Sequence, residues 1–147
     1  MFEIGMSILL VAGCCYFDLK YKRIPVALLV TAGIVSLADL IMHGVLGSLP
    51  NIFLSRIIGM IPGTLLLLLS RLTKEKIGQG DGILLIILGL FMGFDGILVI
   101  LCIGLFLQSL LACFLLIIKK ADIQTKIPFV PFLLAGNIMV FVYWMYF

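Results

Sequence analysis

Charge is what this chain lacks most: Asp, Glu, Lys and Arg make up 12% of its 147 residues, while 64% are hydrophobic. A soluble globular protein runs near a quarter charged and half apolar, and a fold this small has too little interior to hide the surplus. Disorder is excluded by the same imbalance. Histidine is nearly absent as well. With His43 alone, and predicted on the side of the membrane away from the basic loops, a Ser-His or Cys-His hydrolase has no base and a His-Glu-x-x-His zinc site cannot form. The four cysteines, Cys14, Cys15, Cys102 and Cys113, form no Cys-x-x-Cys pair, so a zinc ribbon, a haem site and a thioredoxin-like motif find no support. They read as small packing residues in a bilayer. No Walker-type glycine loop, strand pattern, repeat or large soluble insertion is present, and neither a nucleic-acid partner, a metal nor a cofactor is expected.

What is present is a series of apolar runs. Six can be read as membrane spans: Ile4 to Phe17, extendable to Tyr21; Ile24 to Met42; Ile52 to Leu72, with Pro62 expected to kink it; Gly82 to Phe94; Ile97 to Ile118; and Ile127 to Phe147, which ends in an aromatic cluster suited to an interface. The expectation is an all-α polytopic protein of six transmembrane helices, with residues 1–147 as a single domain. The fourth run is short. It must either borrow residues from Ile77 to Asp81 or begin as irregular backbone lining a protein-walled cavity.

The basic residues sort the loops. Lys20, Lys22 and Arg23 follow the first span; Arg71, Lys74 and Lys76 follow the third; Lys119, Lys120 and Lys126 follow the fifth. These loops share one side if six spans is correct, whereas His43 to Asn51 and Asp95-Gly96, on the other side, hold no Lys or Arg. The positive-inside rule then puts the basic loops in the cytoplasm and both termini outside. Arg56, the remaining cation, sits near the outer start of the third span, where it can snorkel or pair with Asp39. Val11-Ala12-Gly13-Cys14 imitates a lipoprotein cleavage box, but Glu3 precedes the apolar run and the lysines follow it, the reverse of a signal peptide.

Five of the seven acidic residues have plain explanations: Glu3, Asp39 and Asp95 lie toward the outer face, and Glu75 and Asp122 lie in basic loops. Asp18 and Asp81 do not. Each falls at the cytoplasmic end of an apolar span, where a charge is expensive and faces a cavity or partner. Asp18 shares a helical face with Cys14, Cys15, Tyr21 and Lys22, so a headgroup-level pair with Lys22 is the competing reading. Asp81 follows Gly78-Gln79-Gly80, and its competing reading is a helix N-cap. Gly82, Gly89, Gly93 and Gly96 recur near one face and should form a packing seam. Two carboxyls at one depth suggest a proton-sharing dyad: one acts as base on water, the other polarises a peptide carbonyl and protonates the departing amine. The pair titrates as a unit, so the proton belongs to neither residue individually.

The arrangement resembles the type IV prepilin peptidase family of membrane aspartic proteases. Asp18 with the basic run to Arg23-Ile24-Pro25 resembles that family's first catalytic aspartate and its Ile-Pro-Asn. Gly78-Gln79-Gly80-Asp81 resembles the Gly-x-Gly-Asp motif that carries the second. Pro128-Phe129-Val130-Pro131-Phe132-Leu133 resembles the Pro-Phe-Gly-Pro-Phe-Leu stretch that opens the last span. The resemblance implies Asp18 and Asp81 as catalytic residues and Gly78, Gly80, Pro128 and Pro131 as support. It also implies removal of a short basic leader, after a glycine, from prepilin or pseudopilin precursors at the cytoplasmic face of the inner or plasma membrane. Recognition would then be lateral, helix against helix in the lipid bilayer. Lys126 is a candidate substrate contact, against the simpler reading of a positive-inside loop lysine. Val26 stands for the usual Asn, Ile83 for a motif Lys and Val130 for a Gly, departures that bear on substrate choice. Larger members carry paired Cys-x-x-Cys motifs in an N-terminal extension and also methylate; the resemblance therefore implies a compact, peptidase-only member. Two other readings stay open. One is a Gly-x-Gly-Asp protease of the presenilin or signal-peptide-peptidase kind, matched only at Gly78 to Asp81. The other is a non-catalytic membrane subunit or small transporter using Asp18 and Asp81 as ion sites.

Overall fold

The computed structural model describes residues 2–21, 25–45, 50–73, 78–118 and 128–146. They form α1 (Phe2–Tyr21), α2 (Val26–Val45), α3 (Pro50–Ile58), α4 (Ile61–Leu72), α5 (Gln79–Ile117) and α6 (Val130–Tyr146), with no strand among the described residues. An apolar chain in lipid has no water to satisfy its backbone, and a helix satisfies it internally. Phe53–Leu72 and Gln79–Ile117 are long and apolar enough to cross a membrane; Val26–Met42 and Val130–Tyr146 are shorter apolar helices. The surface is apolar too: Leu9, Val30, Ile34, Leu65, Leu68, Phe106 and Leu110 all lie exposed. A surface of that kind suits hydrocarbon and not water. Cys14 and Cys15 are buried as packing residues, whereas Cys102 and Cys113 face outward.

The bend expected from Pro62 lies just before it. The chain breaks at Gly59–Met60, and Pro62 occupies the first turn of α4, where a missing N–H costs nothing. Hydrogen bonds continue across the break: Gly59 donates to the Ser55 carbonyl and Thr64 to that of Met60.

The sharper break is Gly93. Asp95-Gly96, expected as a loop, is helical, and the single non-helical residue inside the 39-residue α5 is Gly93, with φ 70° and ψ −178°. That conformation is open to glycine and strained for any residue with a Cβ. It also frees the Phe94 amide, which donates to Ser55 Oγ at 3.1 Å, so α3 caps the second limb of α5. Unbroken, 39 residues would reach roughly 58 Å, nearly twice a hydrocarbon core of about 30 Å. The helical pairings on the two sides of Gly93 run in opposite senses. Before it, Phe91 lies beside Met6 and Leu10 at the start of α1, and Asp81 is near Asp18 at its end. After it, Ile100 meets Gly136 and Gly104 meets Leu133 on α6, a helix that itself runs antiparallel to α1. The fourth and fifth apolar runs are therefore the two limbs of one broken helix.

Glycines make the tightest seam. A Cβ at Gly63 would strike the backbone of Ile86, one at Gly82 the side chain and amide of Leu67, and Gly59 and Gly89 each occupy the space the other's Cβ would need. The expected face holds for Gly82, Gly89 and Gly93. Gly96 lies beyond the break and meets only the Met92 side chain. The partner surface is the pair Gly59 and Gly63, a small-xxx-small spacing on α3–α4 that the sequence reading passed over.

Arg56 pairs with Asp39, Nη1 to Oδ2 at 2.6 Å, with the arginine only 4% exposed. The reading of this lone outer cation as a partner of Asp39 is borne out. Breaking a buried pair leaves a charge uncompensated, at about 3–5 kcal/mol. Asp39→Asn is expected to lower the melting temperature of the purified protein sharply, and Asp39→Leu with Arg56→Met to recover most of the loss, read by a thermal unfolding scan in detergent.

Candidate active site

Asp18 lies one turn from the end of α1, half-buried, with Cys14 and Cys15 buried one turn before it. Asp81 is the third residue of α5. The N-cap is Gly78, in extended conformation, so Asp81 is not the cap itself, and the helix does borrow Gln79 to Asp81 to lengthen the short apolar run. The Asp81 carboxylate folds back over Gly78: a Cβ built there would lie 2.9 Å from Oδ2. A carboxylate in the first turn is favoured by the unpaired amides and the helix dipole. Gly80, the residue before Asp81, lies in the same turn, half-buried.

The fold brings Asp18 and Asp81 close enough that the charge of Asp18 bears directly on Asp81. A third element completes the group. The Val130 amide, at the first position of α6, donates to the Asp18 carboxylate. Its neighbours explain why it is free to do so. Phe129 accepts the first intrahelical bonds through its carbonyl, from Phe132 and Leu133, and Pro131, in the first turn, has no amide to satisfy. Pro128 lies two residues before the helix, outside regular secondary structure. The Asp18 Oδ2 atom is buried and has no hydrogen-bond partner among the described residues.

The Val130 amide is the part of the candidate site that the sequence reading missed. The valine side chain is fully buried, and the residue contributes through the backbone, which any residue but proline supplies. Replacement of a glycine by Val130 therefore leaves the donor in place. Ile83 is exposed on α5 and Val26 opens α2, also exposed. The competing partner of Asp18, Lys22, and the candidate contact Lys126 lie outside the described residues.

The geometry assigns Gly78 a sharper role than flexibility. The atom a new Cβ would strike is the end of a rotatable side chain, so the cost falls on the orientation of Asp81 and not on the fold. Under the peptidase reading proposed below, Gly78→Ala is expected to lower kcat by roughly tenfold or more while the melting temperature stays within a degree or two, checked by turnover and thermal unfolding on one preparation.

An apolar, all-helical membrane protein that places two carboxylates from separate helices within electrostatic reach of each other is the class this fold and site define. Residues 4–113, which include both aspartates, match the model of the type IV leader peptidase family, and the chain belongs to that family. It is 33% identical over 133 residues to a prepilin leader peptidase/N-methyltransferase of Xanthomonas campestris pv. campestris. That match covers 84% of this chain and 44% of the relative, so the chain spans less than half of the relative's length. No solved structure matches it.

Proposed function

We propose that this chain is a membrane aspartic endopeptidase that removes the short basic leader from type IV prepilins or pseudopilins at the cytoplasmic face. The observation that supports the reading is the nearness of Asp18 and Asp81, far apart in sequence, with Asp18 at the N-terminus of α6. In the proposed reaction the ionised member of the pair takes a proton from water as its oxygen attacks the scissile carbonyl carbon. The protonated member hydrogen-bonds the carbonyl oxygen as charge develops there. Collapse of the tetrahedral intermediate breaks the C–N bond, and the proton passes to the leaving amine. The products are the leader's carboxylate and the mature N-terminus.

In this reading the chain crosses the inner membrane six times, with α3 and α4 as one crossing and the limbs of α5 as two. Both termini are outside and the basic loops are cytoplasmic, which puts Asp18 and Asp81 at the cytoplasmic leaflet. The substrate's apolar helix approaches laterally through lipid. The test is co-expression with a panel of prepilins and pseudopilins. A supporting result is loss of the leader, with the new N-terminus located by mass spectrometry after the leader glycine. Ion-coupled flux with no processing of any precursor overturns the reading. Impermeant maleimide should label a cysteine at Asn51 in intact cells and one at Lys120 only after lysis.

A further inference from the structure

Among the fully buried polar side chains outside the carboxylate site, one pair joins two helices through its side chains. Ser7 on α1 and Asn137 on α6 are both 0% exposed and bond each other in both directions. Asn137 Nδ2 donates to Ser7 Oγ at 3.1 Å, and Ser7 Oγ approaches Asn137 Oδ1 at 3.4 Å. Packing alone does not call for them: an alanine at Ser7 or a leucine at Asn137 is close in size and has no polar group to satisfy.

Their placement gives them a use. Ser7 lies about three helical turns from Asp18 on α1, and Asn137 two turns from Val130 on α6. The two helices are thus joined at two points, by the Ser7–Asn137 pair within the bundle and by the Val130 amide on the Asp18 carboxylate at its end. Apolar contacts alone tolerate sliding of one helix along another, since one leucine can replace the next in a groove. A reciprocal hydrogen-bonded pair does not, because a slip of one residue takes the Asn137 amide off its Ser7 partner in a medium without water. We infer that Ser7 and Asn137 are positioning residues: their pair sets the register of α1 against α6 and so holds the Val130 amide on Asp18. A single Asn fixing register at a helical interface is the best-attested use of a buried polar group.

The inference rests on the peptidase reading for its kinetic arm and needs a second arm that does not. In the first, Asn137→Leu and Ser7→Ala each lower kcat on a cleaved prepilin by roughly ten- to a hundredfold, with KM within about twofold and the melting temperature little changed. Ser7→Thr, which keeps the hydroxyl, restores turnover, and the double variant is no worse than either single one. In the second arm, spin labels replace Leu19 on α1 and Phe132 on α6, with the native cysteines removed. A narrow distance distribution in the parent broadens or shifts in Asn137→Leu and Ser7→Ala. Parent-like kcat in both variants, additive losses in the double variant, or an unchanged distance distribution each overturn the inference. Should the parent cleave no precursor, the peptidase reading fails alone, and the label distances still decide the register.

Discussion

Asp18→Asn and Asp81→Asn are each expected to abolish leader removal, by at least about a hundredfold in kcat, with the protein still accumulating in membranes. The substitution keeps size and shape and removes the ability to ionise. At Asp18 an amide oxygen still accepts from the Val130 amide, so the α1–α6 contact survives while one member of the proton-sharing pair is lost. At Asp81 the amide still lies over Gly78, and the other member of the same pair is lost. The double variant should be no slower than either single variant, since members of one catalytic unit are not additive. The parent should give a bell-shaped dependence of kcat on pH, whose two limbs belong to the pair. Both variants should lose that shape along with the rate. The measurement is single-turnover processing of a purified prepilin in detergent or nanodiscs, with protein quantified by blot. Normal processing by either variant removes the dyad from the mechanism; loss of protein together with activity assigns that aspartate to the fold.

The parts of this site legible in the sequence were those carried by charge in an apolar setting. Asp18, Asp81 and Arg56 stand out because a charge beside a long apolar run demands a reason: Arg56 pairs with Asp39, and Asp18 and Asp81 lie near enough to feel each other's charge. The apolar runs themselves located the helices, since run length in an apolar chain is a direct reading of span length. What was not legible depended on backbone. Nothing in a valine announces that its amide serves a carboxylate, and the Val130 contact follows from the Pro128–Pro131 stretch only once α1 and α6 are docked. The turn was misplaced for a similar reason. Asp95-Gly96 carries the stronger turn chemistry, yet the break falls at Gly93, because Ser55 on α3 is there to take the Phe94 amide. Gly59 and Gly63 had the spacing to be noticed; their meaning needed the matching glycines on α5.

Gly89→Leu is the fold's most damaging small-residue change. Gly59 and Gly89 are in backbone contact across the α3–α4/α5 seam: a Cβ on Gly59 would sit 2.6 Å from the Gly89 carbonyl oxygen, and one on Gly89 would collide with the Gly59 carbonyl. A flexible side chain could rotate away from such a clash; a helix backbone cannot. The limb of residues 79–92 would have to separate from its neighbour along its length, losing the close contacts of Gly63 with Ile86 and of Gly82 with Leu67. Overpacking costs about 1–3 kcal/mol where side chains yield, and this site, where none can, belongs at or above the top of that range. Asp81 adjoins Gly82 on the same limb, so residual folded protein should also be slow. The internal comparison is Gly33→Ala on α2, where a Cβ meets nothing within 4 Å. That change should be neutral or stabilise by roughly 0.5–1 kcal/mol, through helix propensity alone. Fluorescence-detected size exclusion after a heat step gives both results at once. Gly89→Leu should leave little monodisperse protein and Gly33→Ala as much as the parent. Equal recovery of the two would mean that glycine contact does not hold this seam, and that the leucines flanking it, Leu66, Leu85 and Leu88, carry the interface instead.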